Sequence, residues 1–209
     1  MVLYLVESDV PAARSDDYSR WFASHVAKVV AAMGRNAFAS RARVVGGDDG
    51  QFVGFYELPS VEALESYLMS RERAELAEET EKAQPEAKVR RSFAERVAQP
   101  RRGFRFGEEP GAAFVVRVTI PAAEAEEWVR WYESEHMPEV LSDPGFVRSR
   151  LYELHTDAEG ERSFLAVYDA VDLNAIGNYL EGRGPRLAEG HGKKYPAAKI
   201  VRQIWEWLQ

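Results

Sequence analysis

The sequence predicts an α+β protein that contains two copies of one βαββαβ unit. The first observation behind this prediction is an internal repeat, because residues 128–180 resemble residues 18–68. The Arg-Trp pair that ends at Trp21, for example, recurs at Trp131. The second observation is that each copy contains strand-like and helix-like segments in the same order. A spacing of about 110 residues is the size of a domain and far too long for a solenoid repeat.

The repeat divides the chain into three segments. We expect a first copy at residues 1–98, a second copy at 112–209, and between them a linker at 99–111 that is rich in proline, glycine and charged residues. Of the 209 residues, 45% are hydrophobic and 29% are charged, as in ordinary globular proteins. Each copy is therefore large enough to bury a core of its own.

The first copy shows the order of elements most simply. Its long second helix carries alternating glutamate and arginine through 70–82, which is typical of a solvent-exposed helix. A glycine-rich turn at 46–50 separates the two central strands. The elements predicted for this copy are strands at 2–7, 36–46, 51–58 and 87–97 and helices at 15–33 and 60–83.

The second copy has a clearer amphipathic helix. Trp128, Tyr132, His136 and Val140 recur every four residues and form one apolar stripe, which Pro138 is expected to kink or shorten in its last turn. The elements predicted for this copy are strands at 112–120, 146–154, 163–170 and 198–208 and helices at 122–141 and 173–181.

The two faces of the second copy's sheet differ in composition. A βαββαβ unit is a ferredoxin-like fold, in which two helices cover one face of a four-stranded antiparallel sheet and leave the other face open. Two such open faces in one chain are expected to bury each other. One strand parity is aliphatic and suits the helices, namely Phe114, Val116, Val118, Ile120, Leu151, Leu165, Val167, Ile200 and Ile204. The opposite parity is mixed, namely Val115, Arg117, Phe146, Arg148, Arg150, Tyr152, Phe164, Tyr168, Gln203, Trp205 and Trp207.

The mixed face predicts a ligand site. Arginine, tyrosine and tryptophan among apolar residues are poor material for a dry core and suit the lining of a cavity. The residues expected to line it are Arg148, Arg150, Tyr152, Tyr168 and Trp205. The alternative is that the arginines pair with carboxylates or lie in solvent at the ends of the sheet.

A histidine on the apolar stripe is the best candidate for chemistry. His136 follows Tyr132, itself an expected ligand contact, by one helical turn. A half-buried imidazole with a pKa near neutral can act as a general acid or base. Glu135 could orient or deprotonate a substrate, although neighbouring residues on a helix point about 100° apart. The alternative for the histidine is a hydrogen-bonded packing role at the end of a helix.

Two further histidines are candidates of lower rank. His25 lies on the equivalent stripe of the first copy as a third catalytic candidate. Alignment by Trp21 pairs it with Glu135, whereas a shift of one residue pairs it with His136. His191 follows a glycine- and proline-rich interruption and is expected in a flexible loop that could cover a pocket.

Several of these residues resemble a known superfamily. The helix end Trp-Tyr-Glu-Ser-Glu-His-Met-Pro at 131–138, the Pro-Gly-Phe entry to the hairpin at 144–146 and the Tyr168 strand resemble the dimeric α/β-barrel superfamily, specifically its EthD-like members. The resemblance implies that the two repeats form an intramolecular dimeric α/β barrel. His136 corresponds to the histidine of a His-x-Pro element, whereas no proline follows His25 in this way. The resemblance therefore favours one working pocket, in the second copy.

Composition and missing motifs disfavour several partners. The formal net charge of −7 argues against nucleic acid. There is no cysteine, and four scattered histidines lack metal-ligand spacing, so no metal and no cofactor are expected. The first residues lack a basic start followed by a long apolar region, and no later run reaches the ~20 apolar residues of a membrane span. We expect a cytoplasmic protein whose partner is a small organic molecule, and a homodimer stays open.

Two functions are compatible with these residues. The first is a small-molecule-binding protein that acts as a cofactor-independent enzyme on an aromatic or polyketide-like compound, by proton transfer or oxygenation. The superfamily that the chain resembles includes monooxygenases, lactone isomerases, polyketide cyclases, haem-handling enzymes and ligand sensors, so the fold does not select among them. The second is a non-catalytic binding or assembly module with a side-chain-filled barrel. An open cavity beside His136 would favour the first, and arginine–carboxylate pairs would favour the second.

Overall fold

Two units make up the chain in its computed structural model, which describes residues 1–46, 50–103, 108–155 and 159–208. One unit consists of Met1–Glu95 together with residue 208, and the other of Arg96–Trp207. Parts of the predicted turn at 46–50 and of the predicted linker at 99–111 lie outside the described residues.

The first unit follows the predicted order βαββαβ. Strand β1 lies at the centre of its antiparallel sheet, between β3 and β4, and β2 pairs with the other edge of β3. Aromatic residues from β1, β3 and α1 dominate the core on the helix side. The elements are β1 (Val2–Asp9), α1 (Ser15–Met33), β2 (Phe38–Val45), β3 (Gln51–Leu58), α2 (Val61–Leu68), α3 (Arg71–Ala83) and β4 (Lys88–Arg96).

The helix predicted at 60–83 is two helices. The hydroxyl of Ser60 accepts a hydrogen bond from the Ala63 N–H at the start of α2. The hydroxyl of Ser70 accepts one from the Arg73 N–H at the start of α3. An N-cap residue has an extended backbone, so a capping serine inside a predicted helix ends one helix and begins another.

The second unit repeats this order with additional elements. The antiparallel strands of this unit pair in the order β9, β6, β8, β7, β5. The edge strand β5 is formed by two residues of the segment predicted as a linker. The elements are β5 (Arg101–Arg102), β6 (Ala112–Pro121), α4 (Ala125–Trp131), a π-helical turn (Tyr132–His136), α5 (Met137–Leu141), β7 (Phe146–Leu154), β8 (Glu161–Ala170), α6 (Leu173–Glu181), α7 (Gly184–Lys194) and β9 (Lys199–Leu208).

The π-helical turn interrupts the helix predicted at 122–141. The Met137 N–H donates to the carbonyl of Tyr132, five residues earlier, which defines the wider turn. Pro138 follows in the first turn of α5 and has no N–H to donate to the carbonyl of Ser134. The proline therefore coincides with a change of helix type rather than a simple kink.

The predicted loop around His191 is wrong. This residue lies on α7, where Pro185 is tolerated because it occupies the first turn. Leu187, His191 and Tyr195 recur every four residues and are all buried. Helix α7 thus packs one face into the core of the second unit.

The parity predicted for β8 and for Phe146 is also wrong. Phe114 on β6 faces the helices as predicted, and its partner across the sheet is Tyr168. Cross-strand partners point to the same face, so Tyr168 faces the helices and Val167 does not. Phe146 joins the same core because the register of β7 shifts between Phe146 and Arg148. The predicted lining residues are thereby divided between the two faces of the sheet.

Candidate functional site

A cavity of about 140 Å³ lies between the sheet and the helices of the second unit. Cavities of about 150 Å³ admit a benzene ring, so this space suits one aromatic ring. Its lining combines apolar side chains with imidazoles, phenols and one guanidinium. The lining residues are Phe114, Val116, Tyr132, His136, Val140, Tyr168, Tyr179, Leu180, Gly184, Pro185, Ala188, His191 and Arg202.

The π-helical turn determines the position of His136 in this cavity. The ring of His136 lies against Trp131, five residues earlier, with ring centroids 5.1 Å apart. In the regular helix α1, His25 stacks on Trp21, four residues earlier, at 4.5 Å. A π turn inserts one residue into a helix. His136 is therefore the structural counterpart of His25, which supports the alignment with a shift of one residue.

Two buried imidazoles, those of His136 and His191, lie with their centroids 5.3 Å apart. The indole N–H of Trp128 donates a 3.0 Å hydrogen bond to Nε2 of His191. An indole N–H can only donate, so Nε2 accepts and the neutral His191 ring carries its proton on Nδ1. Both rings are held in the neutral form by their surroundings, and His136 keeps an unprotonated nitrogen.

The pKa of each imidazole is lowered to about 4. Burial is the largest cause for both rings, because it disfavours the charged form. For His136 the neighbouring His191 is the next cause and the charge of Arg202 follows, whereas for His191 the charge of Arg202 is the next cause. At pH 7 both rings are therefore neutral.

Three phenols supply hydroxyl groups to the same cavity. The Tyr168 hydroxyl donates to the Tyr132 hydroxyl over 2.9 Å. Burial raises the pKa of Tyr179 to about 12 and raises the pKa of Tyr132 and of Tyr168 further. The phenols therefore stay protonated. Because Tyr168 donates within the pair, the proton of Tyr132 is the one available to another acceptor.

A single guanidinium, that of Arg202, is the charged group among the described residues that line the cavity. Arg202 lies on β9 opposite Val116 of β6 and is exposed at the edge of the cavity. It forms no salt bridge with a carboxylate in the described parts of the chain. An unpaired guanidinium beside neutral imidazoles and phenols makes the cavity favourable for an anion.

The structure brings three of the predicted site residues together in this cavity, namely Tyr132, His136 and Tyr168. Glu135 is adjacent in sequence but exposed, as expected from the 100° rotation between neighbouring helical residues. The structure thus does not bring Glu135 to the cavity.

The other four predicted ligand contacts lie on the opposite face of the sheet. Asp169 is fully buried there and accepts hydrogen bonds from Arg148, from Nη2 of Arg150 (2.8 Å) and from the indole of Trp207 (3.1 Å). Tyr152 and Trp205 are fully buried on this face as well. The arginines thus pair with a carboxylate, the alternative considered from the sequence, and none of these four residues lines the cavity of His136.

The first unit contains a smaller cavity, of about 50 Å³, at the corresponding position. His25 lines it, Thr80 Oγ1 lies 3.5 Å from His25 Nε2, and burial lowers the pKa of His25. A cavity is therefore present in each unit and not in the second alone. Corresponding lining residues are His25 and His136, Tyr56 and Tyr168, Tyr67 and Tyr179, Thr80 and His191, and Arg91 and Arg202.

Sequence reasoning missed Arg202 and Tyr179 and expected His191 in a loop over a pocket rather than on a helix that lines it. His191 has a signal in its four-residue spacing from Leu187 and Tyr195. Arg202 has one too, because it is the arginine between Ile200 and Ile204 on a parity that is otherwise aliphatic. The signal for Tyr179 is its match with Tyr67 in the internal repeat.

Comparison with known proteins identifies the fold of the chain. The family described as a domain of unknown function, DUF4286, matches residues 112–203. A comparison with curated proteins finds no match. Among solved structures, an anthrone oxidase-like protein is 14% identical to this chain, with a TM-score of 0.68. The matched region covers 100% of this chain and 92% of that protein's chain. The chain has the dimeric α/β-barrel fold.

Other proteins of this fold show similar agreement. A candidate monooxygenase from Fusobacterium nucleatum is 11% identical, with a TM-score of 0.67, and covers 100% of this chain and 92% of its own. A candidate monooxygenase from Lactobacillus acidophilus is 12% identical, with a TM-score of 0.62, and covers 98% of this chain and 93% of its own. The predicted fold class, two ferredoxin-like repeats in a dimeric α/β barrel, is therefore confirmed.

Two kinds of feature are absent from the described residues, a membrane-spanning helix and a metal-binding cluster. No helix among them is both long and apolar enough to cross a membrane. Within the same residues, no cluster of three or more histidine, aspartate or glutamate side chains is placed to hold a metal ion.

Proposed function

We propose that this dimeric α/β-barrel protein binds a small aromatic acid in the cavity of its second unit, accepts a proton from it on His136 and holds the resulting anion beside Arg202. The observation that carries the proposal is the combination of a ring-sized space, a neutral imidazole pair and an unpaired guanidinium. Such pockets, mostly apolar with a few convergent polar groups, are typical ligand sites.

The proposed step moves one proton. A phenol O–H, or a C–H made acidic by a neighbouring carbonyl, gives its proton to the unprotonated nitrogen of His136. The negative charge that develops on the substrate oxygen is stabilised by Arg202 and by the hydroxyl of Tyr132. The anion in turn favours the imidazolium, so the lowered pKa of His136 rises when the substrate is bound.

The comparisons support a ring compound as substrate. Solved proteins with this fold are described as anthrone oxidase-like and as monooxygenases. Oxygenation without a cofactor would begin with the same deprotonation, because the electron-rich anion is the form that reacts with dioxygen. His136 would therefore serve proton transfer and oxygenation alike, and the cavity volume limits the buried part of the substrate to about one ring.

A second candidate function is ligand binding without chemistry. A pKa near 4 makes free His136 a weak base, and on the opposite face of the sheet the Arg150–Asp169 pair is buried. Under this function the aromatic anion still binds beside Arg202, but no proton leaves the substrate.

The experiment that tests the proposal has a binding part and a chemical part. A thermal-shift screen would compare aromatic acids, phenols, lactones and quinones on the wild type, His136→Ala, Arg202→Gln and the exposed control Glu135→Gln. We expect stabilisation of the wild type and Glu135→Gln, and a weaker response of Arg202→Gln to anions. If no compound stabilises the wild type, or if Arg202→Gln responds equally, the site is refuted.

The chemical part separates the two functions. Exchange of a carbon-bound substrate proton next to a carbonyl for deuterium, followed by NMR for a compound that binds, is expected to be catalysed by the wild type and lost in His136→Ala. Binding without catalysed exchange in the wild type would establish the non-catalytic function instead.

A further inference from the structure

The cavity of the first unit carries more positive charge than its counterpart. Both Arg73 and Arg91 line it, and no aspartate or glutamate among the described residues does. Arg73 comes from α3 and Arg91 from β4, so the two guanidiniums approach from a helix and from the sheet. In a chain with a formal net charge of −7, two such groups at one cavity point to a bound anion.

These two charges are not neutralised by the chain itself. Neither guanidinium forms a salt bridge with a carboxylate in the described residues. Glu79, the carboxylate that acts on His25, pairs with Lys28 over 2.6 Å. Both arginines influence the hydroxyl of Tyr67. Burial raises the pKa of Tyr67 to about 12, and the charges of Arg73 and Arg91 both act in the opposite direction.

The size of the cavity limits what it can hold. A buried water occupies at least about 10–15 Å³ of such space, so about 50 Å³ admits only a few non-hydrogen atoms. A benzene ring, which needs about 150 Å³, does not fit. The ligand is therefore smaller than the aromatic ring that suits the second unit.

The second guanidinium is particular to the first unit. Helix α3 corresponds to α7, and when Thr80 is matched with His191, Arg73 is matched with Gly184. Arg91, in contrast, has a counterpart in Arg202, because each lies opposite a valine of the central strand. The two cavities thus share one arginine and differ in the other.

We propose that the first unit contains a separate binding site for a small aliphatic carboxylate, held by the guanidiniums of Arg73 and Arg91. A carboxylate offers two coplanar oxygens, which match the paired N–H donors of guanidinium groups. The tyrosine hydroxyls of the same cavity offer further donors to the oxygens. This site does not depend on the function proposed for the second unit.

The test uses acetate, propionate, benzoate and inorganic phosphate as probes on the full chain. Thermal shift and isothermal titration at constant ionic strength would compare the wild type with Arg73→Gln, Arg91→Gln and Arg90→Gln. Arg90 precedes Arg91 on β4, is exposed and does not line the cavity, so Arg90→Gln is the matched control. We expect acetate or propionate to bind the wild type and Arg90→Gln equally, and to bind Arg73→Gln and Arg91→Gln about tenfold more weakly.

Three results would overturn the proposal. These are no binding of acetate or propionate to the wild type, binding to Arg73→Gln and Arg91→Gln as tight as to the wild type, or a loss of binding in Arg90→Gln as large as in those two variants. Phosphate that binds as tightly as acetate would argue against a carboxylate as the ligand, because guanidinium groups also bind phosphate through paired N–H donors. Circular dichroism spectra check that each arginine variant is folded.

Discussion

Replacing His136 by glutamine should make the free energy of unfolding less sensitive to acid. In the folded protein the pKa of His136 is lowered to about 4, against an ordinary value of 6.5 that is restored on unfolding. Between these values the unfolded chain binds a proton that the folded chain does not. The stabilising contribution of neutral His136 is therefore complete above about pH 6.5 and is lost as the pH falls toward 4.

The size of the effect follows from the two pKa values. Each unit of pH over which one state is protonated and the other is not changes the free energy of unfolding by about 1.4 kcal/mol. From about pH 7 to pH 5 the unfolded imidazole becomes almost fully protonated while the folded one stays neutral. The contribution of His136 over this interval is therefore on the order of 2 kcal/mol.

Urea unfolding at several pH values between about 7 and 5 measures this difference. His191 and His25 also have lowered pKa values and lose stability in the same direction, but both remain in the wild type and the variant. Parallel stability curves for the wild type and His136→Gln would refute the reasoning.

Three further predictions concern stability and hydrogen bonding. Asp169→Asn should lower the free energy of unfolding by about 3 kcal/mol or more, because it removes the carboxylate that pairs with buried Arg150. Urea titrations measure this loss, and a value below about 1 kcal/mol would contradict the prediction. Trp128→Phe removes the donor to Nε2 of His191, so the proton of that imidazole should no longer be confined to Nδ1. The ¹⁵N chemical shifts of the His191 ring measure this, and an unchanged tautomer would show that the indole does not determine it. Ser70→Ala should cost about 1 kcal/mol in thermal or urea unfolding through loss of the α3 cap, whereas Ser70→Gly should cost only a few tenths, and equal losses would argue against capping.

The sequence predicts the order of elements because each element carries its own pattern. Residues 15–33 are predicted and observed as one helix, and the strands at 51–58 and 146–154 have the predicted bounds. The face of the sheet to which each β8 residue points, in contrast, does not follow from the pattern of β8 alone. From Phe164 to Val167 every residue is apolar, so both parities fit, and only the pairing with β6 decides between them. Register is a property of two strands together, which one segment does not encode.

The candidate site is predicted in part for a similar reason. His136 and Tyr132 are found because they share a helical stripe, and this stripe faces the cavity. His191 and Arg202 come from two distant segments, and their meeting with His136 depends on how α7 and β9 pack. One sequence feature does indicate the π turn. His25 follows Trp21 by four residues, whereas His136 follows Trp131 by five.

The single π turn shows what tandem duplication permits. In an assembly of two identical chains, a one-residue insertion appears in both subunits, because one gene encodes them. Here the insertion is present before His136 and absent before His25. Each half can therefore acquire its own chemistry by mutation without altering the other. A protein engineer can redesign one pocket and compare it with the unchanged pocket in the same chain.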